Sequence, residues 1–157
     1  ESRPYLNKDG RALATFPNGD TYDGEYREFV RHGLGEYSWT NGGKYLGDYV
    51  EGNRHGIGNF TYPDGSVFKG QWKMNKRHGH GVYTYPNGDK YCGAWEDDQK
   101  SGQGTYLFQD SQTQLTGNWV SGKCPDGLWT FYDGKPTRPF VAQVNDNKIL
   151  RYLDQKC

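Results

Sequence analysis

The sequence is poor in aliphatic side chains. Hydrophobic residues make up only 32% of the 157 residues, aromatic residues account for 16%, and the chain has a single methionine, Met74. Mean hydropathy is −1.06. A domain of two packed layers buries many aliphatic side chains, so this composition excludes an ordinary layered core. Disordered chains of similar hydropathy are poor in aromatic residues, which this chain is not. The composition therefore predicts an ordered fold whose core is a thin seam of aromatic rings.

The chain also lacks net charge and a long apolar run. Nineteen Lys and Arg balance nineteen Asp and Glu, whereas nucleic-acid binding needs a concentrated basic face, so no nucleic-acid partner is expected. No apolar run in the sequence is long enough to span a bilayer. Because the chain begins with Glu1 rather than Met, it could be a piece of a longer protein. Cys92, Cys124 and Cys157 fit no metal-ligand spacing and are expected to be reduced thiols in the cytoplasm.

What the sequence has in abundance is repetition. The stretch 45–67 recurs at 22–44 and 68–90, and at 91–114 with one residue added. Each copy has an aromatic residue at its first and fifth positions and a glycine at its third. A basic residue, a His or Ser and a G-x-G follow, and then come two aromatic residues separated by one position. A fixed period of 23 residues is typical of a repeat architecture.

The two ends of the chain carry partial or degenerate copies of the same unit. We predict a partial N-terminal repeat over 1–21, four full repeats over 22–114 and a degenerate repeat over 115–135. The remainder, 136–157, is predicted to hold a linker, a degenerate half-repeat and a C-terminal cap or tail. Atypical terminal units are expected in a repeat array because each end faces solvent.

Alternation within each unit predicts β-strands. Tyr45, Gly47 and Tyr49 are separated by single residues, and period two is the signature of a strand. We expect two short strands per unit, joined by a Gly-rich loop of about six to eight residues, with Asn-Gly or Asp-Gly turns between units. The predicted fold is all-β: a single-layer antiparallel β-meander rod of repeated hairpins, twisted, with a short C-terminal helix or tail.

The repeated pattern Y-x-G-x-[WY]-x-x-G-x-R-H-G-x-G-x-[FY] closely resembles the MORN repeat, over about residues 7–148. Phe29, Asn75 and Asp98 depart from it at the eighth-position glycine, and Ser101 replaces the histidine. The resemblance implies a single-layer β-rod that acts as a scaffold, a dimerisation module or a docking groove. Within the family, N-G-D-T-Y-D-G-E-Y and R-H-G-H-G-V-Y-T-Y are similar to a radial spoke head member of cilia and flagella, which implies an axonemal, cytoskeletal location.

The aromatic stripe is the predicted partner-binding site. A single-layer sheet has no second layer, so part of its aromatic face stays open for the apolar side chains of a partner. Some rings would pack on each other and others would contact the partner, and the sequence does not divide them. The predicted groove residues are Tyr22, Tyr26, Tyr37, Trp39, Tyr45, Tyr49, Phe60, Tyr62, Phe68, Trp72, Tyr83, Tyr85, Tyr91, Trp95, Tyr106 and Phe108.

A column of basic residues, one per unit, offers a second hypothesis: Arg31, Arg54, Arg77 and Lys100 could contact anionic phosphoinositide lipids. Neighbouring acidic residues and the zero net charge argue against this, because membrane recruitment usually needs a clustered polybasic surface. Solvated loop residues are the preferred interpretation. A phosphoinositide-binding membrane adaptor and a regulatory module of a larger enzyme remain alternatives.

No catalytic, metal or cofactor site is predicted. Equivalent positions of His32, His55 and His78 would lie about 10 Å apart, two strand spacings, which is too far for shared zinc ligands. These histidines are expected to form hydrogen bonds in the loops, and His80, outside the repeat frame, to lie at the surface. The G-x-G motifs lack the following helix of a phosphate cradle. Carboxylates such as Asp48 are expected to be solvated.

The expected partners are therefore other proteins, namely radial spoke head subunits or cytoskeletal proteins. An uncapped sheet also has free terminal strands that can pair with another copy, so a homodimer is a further expectation.

Overall fold

The structure is a computed structural model that describes the backbone of residues 9–131 and the side chains of residues 9–128, and these residues form one antiparallel sheet. Each strand pairs with its neighbours in sequence, in the order β1 to β11. The predicted all-β meander is confirmed. The predicted elements over 136–157 and the start of the first repeat lie outside the described residues. The strands are β1 (Asp9–Thr15), β2 (Thr21–Arg27), β3 (Val30–Ser38), β4 (Lys44–Val50), β5 (Asn53–Thr61), β6 (Val67–Lys73), β7 (Lys76–Thr84), β8 (Lys90–Glu96), β9 (Gln99–Phe108), β10 (Thr113–Trp119) and β11 (Leu128–Phe131).

The two strands of a repeat are joined by a tight turn rather than by a Gly-rich loop. β2 ends at Arg27 and β3 begins at Val30, and the two residues between them, Glu28 and Phe29, have φ of 49° and 66°. Positive φ at both central residues is the type I′ geometry, whose twist matches that of a hairpin. The predicted loop of six to eight residues is therefore wrong. The Arg-His-Gly-x-Gly segment lies inside β3, β5 and β7 instead.

A bulge accommodates this segment in each hairpin. Gly47 pairs with Gly58 and Tyr49 pairs with Arg54, so one residue of β4 lies opposite three residues of β5. The side chain of the single residue, Asp48, accepts a hydrogen bond from the Ile57 N–H at 2.9 Å. Asp48 is therefore part of the bulge, and the expectation that its carboxylate is solvated is wrong.

The turns between repeats lie at the predicted Asn-Gly and Asp-Gly pairs. Gly42 has φ of 93°, its N–H donates to the Trp39 carbonyl at 3.1 Å, and the Trp39 N–H donates to the Gly43 carbonyl at 2.9 Å. Gly65 and Gly88 repeat this conformation, with φ of 91° and 90°. A glycine suits this left-handed position because it has no Cβ.

A pair of facing glycines makes room for one aromatic ring in each repeat. Gly47 of β4 lies opposite Gly58 of β5, and the ring of Tyr45 lies over both. A Cβ built on Gly58 would lie 2.3 Å from the Tyr45 hydroxyl oxygen, which is impossible without rearrangement. The Tyr45 hydroxyl donates to the Asp48 carbonyl at 3.0 Å. The two glycines thus provide the space for a ring that crosses the neighbouring strand.

No helix in the range 9–131 is long and apolar enough to cross a membrane.

Candidate functional site

One face of the sheet carries two continuous ladders of aromatic rings, which we call the inner and outer ladders. In the inner ladder, each first-position ring meets two fifth-position rings edge to face. Tyr45, for example, has centroid distances of 5.3 Å to Tyr49 and 5.4 Å to Trp72, with interplanar angles of 84° and 86°. Edge-to-face pairs contribute about 0.5–1.5 kcal/mol each beyond their burial. The inner ladder comprises Tyr22, Tyr26, Tyr45, Tyr49, Phe68, Trp72, Tyr91, Trp95 and Trp119.

The inner ladder is the core of the protein. Its first-position rings are 0% exposed, and Trp72 and Trp95 are only 4% and 5% exposed. Burial of this extent leaves these rings no surface for a partner. The predicted groove residues that lie in the core are Tyr22, Tyr26, Tyr45, Tyr49, Phe60, Phe68, Trp72, Tyr91 and Trp95.

The outer ladder lies alongside and is half-buried apart from Phe60. Consecutive centroids are 4.3–5.7 Å apart: the shortest distance is between Phe60 and Tyr62, and the longest is shared by Phe16–Tyr37 and Tyr62–Tyr83. In chain order it comprises Phe16, Tyr37, Trp39, Phe60, Tyr62, Tyr83, Tyr85, Tyr106 and Phe108. Seven predicted groove residues are therefore half-buried members of this ladder: Tyr37, Trp39, Tyr62, Tyr83, Tyr85, Tyr106 and Phe108.

Two ladder members were not among the predicted groove residues. Trp119 continues the inner ladder through an edge-to-face contact with Tyr91 at 5.2 Å, and Phe16 begins the outer ladder at 5.7 Å from Tyr37. Phe16 belongs to the partial N-terminal repeat, and Trp119 belongs to the degenerate repeat over 115–135. Each stands at its expected position in the repeat frame, so the frame itself was the signal that could have found them.

The outer ladder contains two kinds of tyrosine. Tyr37 and Tyr106 donate hydrogen bonds to the buried carboxylates of Asp20 and Asp89, at 2.9 and 2.8 Å. By contrast, the hydroxyls of Tyr62 and Tyr85 donate to no other group among residues 9–131. Burial raises the pKa of each of these two phenols to about 12. Each has an apolar ring and a hydroxyl that is free to bond to another molecule. Aromatic residues of this kind are enriched at protein interfaces.

The basic column belongs to the aromatic face. The Arg54 guanidinium lies 4.8 Å from the Trp72 ring and 5.1 Å from Phe60, and Arg77 lies 4.7 Å from Trp95. All four basic side chains are half-buried within strands, so the solvated-loop interpretation is wrong. Burial lowers the pKa of Arg54 and that of Lys100. Cations placed over rings are stabilised by the ring quadrupoles.

The arginines also connect successive hairpins. Arg31, Arg54 and Arg77 donate to the carbonyl oxygens of Gly52, Asn75 and Asp98 at 3.2, 3.1 and 3.0 Å. Arg77 additionally forms an ion pair with the Asp98 carboxylate at 3.1 Å. Each of these guanidinium groups is therefore already bound to the turn of the following hairpin.

Histidine and cysteine side chains do not form a site within the described range. Residues 9–131 contain no group of three His, Cys, Asp or Glu side chains placed to hold a metal. The expectation that His80 lies at the surface is wrong, because it is half-buried and burial lowers its pKa. Cys124 carries a free thiol, whereas Cys92 is disulfide-bonded, so the expectation of three reduced cysteines is wrong at Cys92.

Comparison with known proteins identifies the repeat. The profile described as "MORN repeat" matches residues 22–44, 45–67, 68–90 and 91–113, together more than half of the chain. No match was found among curated proteins. Among solved structures, the TCP domain of Drosophila melanogaster SAS-4 (dCPAP), in complex with a proline-rich motif of Ana2 (dSTIL), is similar over 80% of this chain and 84% of that chain, at 14% identity and a TM-score of 0.39. MORN repeats are generally non-catalytic and indicate a scaffold module that binds proteins or membranes, and this chain belongs to the MORN-repeat family.

Proposed function

We propose that this chain is a non-catalytic scaffold module that binds an extended segment of another protein along its outer ladder. The observation that carries the proposal is the continuous row of half-buried rings, which no second layer covers within residues 9–131. Large, rigid aromatic side chains provide much contact area with little loss of side-chain freedom. Interfaces are also enriched in Tyr and Trp at their energetic centres.

The charge of the face indicates the character of the partner. Four cationic side chains lie among the rings, and Asp98 is the one carboxylate in an ion pair with them among residues 9–131. A complementary segment would therefore combine apolar side chains with acidic ones. A protein segment meets this requirement because it carries both kinds of side chain at a spacing that a sheet can match.

The radial spoke head of the ciliary or flagellar axoneme is the proposed setting. This setting is supported by the similarity of the amino-acid sequences of residues 18–26 and 77–85 to a radial spoke head member of the family. Partners would then be other radial spoke head subunits or neighbouring cytoskeletal proteins. A scaffold whose repeats stack along one axis suits a filamentous assembly, since it presents the same groove over several hairpins.

A protein partner fits the basic column better than phosphoinositide lipids do. The guanidinium groups of Arg31, Arg54 and Arg77 already donate to backbone carbonyls, and the side chains are half-buried among rings. Phosphoinositide recruitment usually relies on exposed clusters of Lys and Arg that reach the membrane surface. The half-buried column offers fewer unengaged donors than such a cluster.

The test is affinity purification of the full-length protein from ciliated cells, with a matched pair of double variants. Tyr62→Ser with Tyr85→Ser removes two outer-ladder rings whose hydroxyls bind nothing else among residues 9–131. Leu34→Ser with Leu46→Ser removes two side chains on the opposite face, which are 51% and 44% exposed. We expect radial spoke subunits to co-purify with the wild type and with the leucine pair, and to be lost from the tyrosine pair.

Thermal unfolding of both variants checks that each is folded. Unchanged recovery with a folded tyrosine pair would contradict docking on the outer ladder. Recovery of membrane lipids or of a kinase polypeptide in place of axonemal proteins would contradict the proposed setting and favour the membrane adaptor or the enzyme module.

A further inference from the structure

Lys100 differs from the three arginines that occupy its position in the earlier repeats. Its ammonium nitrogen lies 5.3–5.5 Å from the rings of Tyr85, Tyr91, Tyr106 and Trp119. No side chain of residues 9–128 and no backbone group of residues 9–131 accepts a hydrogen bond from it or forms an ion pair with it. A lysine ammonium has three donors and no acceptor. Lys100 is thus a half-buried cation whose donors the described part of the chain leaves unused.

Two differences account for this: Lys100 carries an ammonium in place of a guanidinium, since Arg31 still donates to the carbonyl of a glycine, Gly52, at the same position, and the following hairpin also differs. Arg54 and Arg77 each meet a side-chain oxygen from the next turn, Asn75 Oδ1 at 3.4 Å and Asp98 Oδ1 at 3.1 Å. The backbone contact that marks this turn continues after Lys100, since the Gly122 N–H donates to the Lys100 carbonyl at 3.1 Å. Gly122 has no side chain and offers no such oxygen. The position that a carboxylate or amide fills in the two earlier hairpins is left without one here.

Lys100 also lines a shallow pocket that opens at the outer ladder. The lining also includes the aromatic residues Tyr83, Tyr85 and Trp95, together with Arg77, Asp98 and Gly122. Desolvation by burial, followed by the nearby charge of Arg77, lowers the pKa of Lys100. A bound anion would relieve both effects because it supplies an opposite charge and hydrogen-bond acceptors in a partly desolvated place.

We propose that this pocket binds the carboxylate of one acidic residue in the partner segment, with Lys100 as its hydrogen-bond donor. The inference rests on the proposed docking function and specifies the chemistry of its occupant. The aromatic walls favour apolar residues next to the acidic one. Arg77 is paired with Asp98, so Lys100 is the one unengaged cation of the lining and matches a single negative charge. The carboxylate of Asp98, which also lines the pocket, disfavours a phosphate group with two charges.

The probe pair is the peptide amide acetyl-Leu-Asp-Phe and its asparagine counterpart acetyl-Leu-Asn-Phe, titrated into the full chain. Backbone amide shifts of Lys100 and Gly122 in nuclear magnetic resonance spectra report binding at the pocket. We expect the aspartate peptide to bind about tenfold more tightly, the size of one charge-assisted hydrogen bond. The difference should disappear in Lys100→Gln and persist in Lys69→Gln, a matched substitution of an exposed lysine on β6.

The wild-type comparison decides the inference even if Lys100→Gln is poorly folded. Equal binding of the two peptides, or binding of neither, overturns the carboxylate site. A preference that survives in folded Lys100→Gln also overturns it. Phosphatidylcholine vesicles with and without phosphatidylinositol bisphosphate form the third arm, and lipid binding that depends on Lys100 without any peptide preference would assign the pocket to a headgroup. The docking proposal is tested separately, by the loss of co-purifying partners when outer-ladder rings are replaced. A failure of the carboxylate site can therefore be told apart from a failure of the docking proposal.

Discussion

The phenol of Tyr106 donates a hydrogen bond to the buried carboxylate of Asp89 at 2.8 Å, and the two residues are 17 positions apart. Burial opposes ionisation of Asp89, but hydrogen bonds from Gln109, Tyr106 and Asn87 outweigh it, and the pKa of Asp89 is lowered. Asp20 and Tyr37 form the same pair three repeats earlier, at 2.9 Å. This link fixes the last turn of one repeat to the outer ladder of the next.

One repeat lacks both halves of this link. Phe60 occupies the tyrosine position and Gly43 occupies the aspartate position, again 17 residues apart. The loss is paired because a buried carboxylate without the phenol would have one donor fewer, and a phenol without an acceptor would be left unsatisfied. We therefore expect Gly43→Asp and Phe60→Tyr to be coupled. Each single variant should be neutral or destabilised, and the double variant should recover about 1 kcal/mol relative to the sum of the singles.

Urea unfolding of the wild type, the two single variants and the double variant measures this coupling. Strict additivity of the two changes in unfolding free energy would show that the link does not form at this repeat.

Alkaline pH should destabilise the protein through its buried phenols. Burial raises the pKa of Tyr49, Tyr62 and Tyr85 to about 12, from an ordinary value of 10.0. A raised pKa in the folded state stabilises the fold fully below the ordinary value, and this stabilisation is lost as pH rises toward the folded value. The midpoint of urea unfolding should therefore fall between pH 10 and about 12.

Tyr62→Phe with Tyr85→Phe is the control, because it keeps both rings and removes two titrating hydroxyls that donate to no group in the described range. Its urea midpoint should fall less steeply over the same pH range. An equal slope in the wild type and this variant would assign the alkaline instability to other groups.

The close contact between ring and glycine makes Gly58 intolerant of a side chain. A Cβ there would lie 2.3 Å from the Tyr45 hydroxyl oxygen and 2.4 Å from a ring carbon. Tyr45 is 0% exposed and cannot move aside without disturbing the inner ladder. Gly58→Ala should therefore lower the free energy of unfolding by about 3 kcal/mol, the upper part of the usual range for overpacking. Thr61→Ala, an exposed change on the same strand, is the control, and a similar small loss in both variants would contradict the proposed packing.

Substitutions at equivalent positions of two hairpin turns should change the free energy of unfolding in opposite directions. Phe29 is exposed and has φ of 66°, a left-handed conformation that is unfavourable for a residue with a Cβ, whereas Gly52 occupies the equivalent position with φ of 83°. Phe29→Gly should raise the free energy of unfolding by about 0.5–1 kcal/mol, since relief of strain exceeds the added flexibility of the unfolded chain. Gly52→Ala should lower it by about 1 kcal/mol. Thermal unfolding of both variants checks the signs, and a loss of stability in Phe29→Gly would indicate that Phe29 makes a contact of its own.

Much of the fold was predictable because period two and the 23-residue repeat are both visible in the residues themselves. The two-residue turn within each hairpin was not predicted. Only one of the four full repeats has a glycine, Gly52, at the second turn position, and the other three have residues with side chains there. The glycines of the Arg-His-Gly-x-Gly run indicated a loop, whereas they serve a bulge within a strand. The high glycine content of this run indicated a loop, whereas the period-two alternation of its residues correctly indicates a strand.

The same alternation could have placed the basic column. Arg31, Gly33, Gly35 and Tyr37 are each two residues apart, so a continuous strand puts them on one face. Once that strand was interrupted by a predicted loop, the arginines were assigned to solvent. The division of the rings into core and outer ladder depends on how facing strands overlap, because each first-position ring of the inner ladder occupies the space above two glycines. Sequence spacing along one strand does not carry that information.

The most direct measurement of the docking claim is photocrosslinking from single positions on the two faces. The full-length protein would carry the photoreactive residue p-benzoylphenylalanine in place of Tyr85 on the outer ladder, or in place of Leu46 on the opposite face, which is 44% exposed. Irradiation in ciliated cells, followed by mass spectrometry of the adduct, identifies what lies against each position. The account predicts a discrete protein adduct from position 85, with an acidic residue in the crosslinked segment, and none from position 46. An adduct from position 46 with nothing from position 85 would contradict it.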